Sequence, residues 1–81
     1  MIFKHPADLT VFLTKRTGCS IHVHNTGTSY TILSAKYSKF KKRDVFHHWE
    51  TIRTINSLVF TEKEMEILIQ DIILGDLFGG Q

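Results

Sequence analysis

Within its first twenty-five residues this chain changes its hydrophobic period, and that switch constrains the fold more than any other feature. Leu9, Phe12 and Leu13 recur at i, i+3 and i+4, the spacing of one helical face. Past Gly18 the spacing falls to two: Cys19, Ile21 and Val23 alternate with Ser20, His22 and His24. A helix followed at once by a strand predicts an α+β chain. Pro6 suits a first helical position, because its missing N–H would be unsatisfied there anyway. Asp8 meets the positive end of the helix dipole, and Lys15 and Arg16 meet the negative end. Gly18 supplies a left-handed stop, so the pattern predicts a helix over 6–17.

Asn25-Thr26-Gly27-Thr28 reads as a turn, and the β-formers from Ser29 to about Ala35 or Tyr37 read as a second strand. The two runs predict an antiparallel hairpin. Val45, Trp49, Ile52 and Asn56 then lie at i, i+4, i+7 and i+11, widened by Phe46 and Ile55. With Asp44 as N-cap, that stripe predicts a helix over 45–56. A third strand competes, because Thr51 to Ile55 is β-branched at four of five positions, but strict alternation fails there. The last helix is announced by Thr61-Glu62-Lys63-Glu64, a capping box flanked by Phe60 and Met65 at the staple positions. Met65, Leu68, Ile69, Ile72 and Ile73 follow as an apolar stripe, and Gly75 is expected to end it before the tail Asp76–Gln81.

The expected architecture is one small α+β domain over 1–81, in the order α-β-β-α-α, with helices packed on one face of the hairpin. Its expected core is Leu9, Phe12, Leu13, Ile21, Val23, Ile32, Trp49, Ile52, Met65, Leu68, Ile69 and Ile72. With residues 51–60 as a third strand the order becomes α-β-β-β-α. That order is similar to the one in double-stranded-RNA-binding domains. The similarity stops at element order, since the lysine-led start of their last helix is absent here.

Composition narrows the function classes. A single cysteine excludes a disulfide framework and a Cys-rich zinc site, and fits a reducing, cytoplasmic setting. The longest apolar-rich stretch, Met65 to Leu74, is broken by Glu66, Gln70 and Asp71 and falls short of the about twenty residues a bilayer span needs. The N-terminus lacks the basic, apolar and small-residue order of a signal peptide. A chain without membrane attachment is the expectation.

Charge is divided unevenly. Residues 1–43 hold eight Lys/Arg against one acid, whereas residues 44–81 hold two against seven. Such a split gives opposed surface potentials if the halves occupy different faces, and partial cancellation if they interleave. Between residues 36 and 43 the cations Lys36, Lys39, Lys41, Lys42 and Arg43 are interleaved with Tyr37 and Phe40. Cations at that density neutralise phosphates, and the two rings are of the kind that stack on exposed bases. His22 and His24, on the outward face of the first strand, add hydrogen-bond donors. The competing reading is a solvated loop with its rings turned to the core.

Other constellations are thinner. His22-x-His24 with His47, His48 and Glu50 has the residue types of a metal-dependent hydrolase, but nothing in the spacing brings the groups together, and His47-His48-Trp49-Glu50 is not His-Glu-x-x-His. No metal, cofactor or catalytic residue is therefore expected. Ile67, Leu74, Leu77 and Phe78 widen the apolar arc of the last helix beyond what a core needs, beside Glu62, Glu66 and Asp71. They are candidates for a dimer or partner surface. The sequence thus favours a non-catalytic binding or regulatory protein that docks RNA or DNA through 36–43. The alternative is an inhibitor or adaptor, of the phage or mobile-element accessory type, working through the last helix or setting the basic segment against an acidic partner protein.

Overall fold

The computed structural model describes residues 1–37 and 47–78, with backbone alone for 36, 37, 47, 48 and 76–78. Its elements are α1 (Pro6–Thr17), β1 (Ile21–Asn25), β2 (Tyr30–Tyr37), β3 (His47–Ile55) and α2 (Glu62–Phe78). The α+β class holds, in the second of the two expected orders, α-β-β-β-α. The three strands form an antiparallel sheet in the order β1-β2-β3.

The helix expected over 45–56 is replaced by β3, which begins before the expected third strand and stops at Ile55 rather than at residue 60. The cause lies in the register. Leu33 pairs with Thr51 but Ile32 pairs with Arg53, so Ile52 is an extra residue in a β-bulge. A bulge puts two consecutive side chains on one side of the strand. Ile52 packs against the core and Arg53 reaches α2, so both face the helices. That single insertion breaks the alternation and leaves an accidental helical spacing behind.

Local signals set the helix ends. The left-handed Gly18 (φ 71°) closes α1, its N–H donating to the Thr14 carbonyl at 2.9 Å. The start of α2 is a reciprocal cap: the Thr61 N–H donates to Glu64 Oε1 at 2.8 Å, and the Glu64 N–H donates to Thr61 Oγ1 at 3.1 Å. Gly75 does not end α2, which runs on to Phe78. A glycine inside a helix weakens it by about 1 kcal/mol relative to alanine but terminates it only by turning left-handed, and Gly75 keeps a negative φ. In the β1–β2 turn, Gly27 takes φ 98° and donates its N–H to Asn25 Oδ1 at 2.8 Å.

Both helices cover the same face of the sheet. Ile21, Val23 and Ile32 from the strands meet Leu9 and Leu13 of α1 and Met65, Leu68, Ile69 and Ile72 of α2, with Cys19 and Phe60 closing the ends. Leu9, Leu13, Ile32, Leu68 and Ile72 are fully buried, each worth about 1.5–3 kcal/mol in transfer from water. Phe3, Phe12, Tyr30, Ile52, Ile55 and Leu58 pack around them. Ile2 bridges to Val59, with the Phe3 N–H on the Leu58 carbonyl, so the chain before α1 is pinned to the chain before α2. At the far side, the Val23 N–H donates to Thr10 Oγ1 at 3.0 Å, which ties α1 to the edge strand β1. Among the described residues no helix is long and apolar enough to cross a membrane.

Candidate nucleic-acid interface

Among the described residues no helix covers the opposite face of the sheet, and the strand register assigns the residues of this open face. Ile21 and Val23 point to the helices, so His22 and His24 point away, and both are exposed. On β2 the same alternation places Thr31, Leu33 and Ala35 outward. On β3 it places Trp49, Thr51 and Thr54 outward, opposite Ala35, Leu33 and Thr31. Glu50, the one carboxylate in the three strands, pairs with the inward Ser34 and so belongs to the other face.

Trp49 is the main correction to the expected core: it is 46 % exposed. Its indole meets His22 edge to face, with ring centroids 6.2 Å apart and planes at 69°, and His22 is in turn 6.2 Å from His24. β1 and β3 are not neighbours, and side chains two strands apart do not ordinarily touch. His22 stands opposite Leu33 and Trp49 opposite Ala35, so the two rings meet on a diagonal across the middle strand. Ala35 is only 8 % exposed despite its outward register. A small residue on the middle strand beside Trp49 leaves room for that diagonal contact.

Charge is arranged by layer rather than by sequence half. Both halves contribute strands to one sheet, so the uneven sequence does not simply divide the molecule in two. Most acids of the second half lie on α2, where Glu62 and Glu64 occupy the first turn. The core separates that helix from the open face. Arg53 is engaged by Asp71 across the bulge. The Glu64 carboxyl is held below its ordinary value, first by the Thr61 N–H and then by the Thr61 hydroxyl.

Of the basic run, Lys36 and Tyr37 fall at the end of β2, where their register partners are His48 and His47. Lys39, Phe40, Lys41, Lys42 and Arg43 lie outside the described residues, as does Asp44. The connection that carries them leaves the sheet two residues beyond the Ala35–Trp49 pair. On α2, Ile67 and Leu74 are 43 % and 51 % exposed, on the side away from the core, whereas Leu77 and Phe78 are placed only as helical backbone. Among the described residues, no three His, Cys, Asp or Glu groups are arranged to hold a metal.

Sequence reasoning placed His22 and His24 correctly and missed Trp49. As a strand, His47-x-Trp49-x-Thr51 shares one face with two polar neighbours, and that pattern is the signal pointing Trp49 outward. Comparison of the chain with protein-family models, with curated proteins and with solved structures finds no match.

Proposed function

We propose that this chain is a non-catalytic binding module that docks nucleic acid on the open face of its sheet and on the adjoining basic connection. The observation that supports this reading best is a face that carries no carboxylate among the described residues, with exposed His22, His24 and Trp49, bordering the strand ends from which the cationic connection departs. Lys36, Lys39, Lys41, Lys42 and Arg43 supply charge against phosphates, Tyr37 and Phe40 supply further rings, and the imidazoles supply donors. A cytoplasmic setting accords with the single thiol, Cys19, being buried and unpaired.

Titration with an oligonucleotide at several salt concentrations tests the reading. Affinity falls as salt rises, and Lys41→Glu/Lys42→Glu makes the log–log slope shallower by about 1.4 on a single strand. Affinity indifferent to salt, or unchanged by the double substitution, refutes it.

A second reading rests on α2. Exposed Ile67 and Leu74 lie between acidic margins, Glu64 and Asp71 on one side and Glu66 on the other. Lys63 is the only base in the helix, so a second copy would set acids against acids, and a cationic amphipathic segment of a partner protein is the complementary occupant. A folded Phe78→Asp or Leu74→Asp variant that keeps its affinity for a basic amphipathic peptide excludes this surface.

A further inference from the structure

Building on the nucleic-acid reading above, we propose that the open face selects unpaired nucleotides, by stacking a base on the Trp49 indole. The chain has one tryptophan, and the fold leaves it half in solvent although Phe3, Phe12 and Phe60 are gathered at the core side. The indole is nevertheless held in place. His22 braces it edge to face on the diagonal across β2, so a base arriving on the free surface of the ring meets a platform already oriented.

The geometry of the face excludes duplex readout. A major groove is about 12 Å wide and admits a helix or a two-stranded ribbon. Three strands about 4.8 Å apart, with their side chains, present a broader and flatter surface than that groove accepts. In a duplex the flat surfaces of the bases are stacked on one another, so a ring on such a surface finds them only in an unpaired strand. Phosphate contacts from the start of a helix are opposed at α2 by Glu62 and Glu64 in its first turn. Among the described residues, the open face offers rings, imidazole donors and hydroxyls, and no carboxylate to repel a phosphate. That chemistry suits a sequence-tolerant grip on a single strand.

Because Trp49 is the sole tryptophan, its emission reports on the site directly. Short oligouridylate and oligothymidylate, and a blunt duplex of equal length, serve as probes at one salt concentration. Either single strand is expected to quench the emission and to bind at least about tenfold more tightly than the duplex. Trp49→Ala is expected to weaken single-strand binding by about tenfold, with duplex binding and far-ultraviolet circular dichroism unchanged, while Trp49→Phe keeps most of the affinity. Equal affinity for the duplex, unquenched emission at saturation, or a folded Trp49→Ala protein that binds single strands as before overturns the stacking proposal. If salt-dependent binding persists in those cases, only the stacking falls. If neither single strand nor duplex binds in a salt-dependent way, the docking reading falls with it. Should Trp49→Ala not fold, quenching of the unaltered protein and the Trp49→Phe affinity still decide the matter.

Discussion

Arg53 at the β3 bulge and Asp71 on α2 form an ion pair that ties the edge strand to the helix above it. Both side chains are about two-fifths exposed, so solvent screens the attraction. Asp71→Asn is expected to lower stability by about 0.5 kcal/mol in low salt and by less in high salt. A double-mutant cycle with Arg53→Gln, followed by urea unfolding, isolates the pair. A coupling unaffected by salt would mean that the contact is packing rather than charge.

Ser34 stands on the helix-facing side of β2 with no exposed surface, and its hydroxyl has no hydrogen-bond partner among the described residues. A buried hydroxyl without a partner loses its water and gains nothing in return. Ser34→Ala is therefore expected to raise stability by about 1 kcal/mol, read as a higher urea midpoint at unchanged slope.

The cap of α2 makes part of the stability dependent on pH. The folded Glu64 carboxyl lies below its ordinary value, chiefly because the Thr61 N–H donates to its ionised form. A group depressed in this way contributes stability above its unfolded value and loses it as pH falls through the folded one. Glu64→Gln keeps an acceptor for the Thr61 N–H without titrating, so its acid unfolding limb is expected to be flatter than that of the unaltered protein. Thr61→Ala removes the hydroxyl half of the cap and is expected to cost about 1 kcal/mol at neutral pH.

Ala35 pairs with Trp49 on the face where the indole meets His22. Ala35→Leu places bulk beside the indole while leaving the helix-facing core untouched. The expected result is loss of the His22–Trp49 nuclear Overhauser contacts and a changed tryptophan emission in a protein that still folds. Preserved contacts would show that the rings meet without the alanine's help.

Where one local signal was decisive, sequence was enough. Pro6, Asp8 and Gly18 bracket α1, and Thr61 with Glu64 starts α2, because caps act within a few residues of themselves. β3 was hidden for the opposite reason. Its bulge at Ile52 exists only against the register of β2, and within the strand it leaves Trp49 and Ile52 at a spacing that suits a helix. The same disguise sent Trp49 to the expected core. His22 and His24 were legible from period two alone, but their ring neighbour comes from a strand that is not adjacent to theirs, a relation no sequence window contains. Gly75 misled because a glycine marks a helix end only when it takes a positive φ.

The contact between Thr10 and the Val23 amide has a consequence for how such chains can associate. Thr10 occupies an outward donor of the edge strand β1, so a strand added there would first have to displace it. Growth by adding one strand after another into a fibril requires two receptive margins per molecule. With the Val23 amide already taken, the β1 margin of this sheet is a poorer template for such growth.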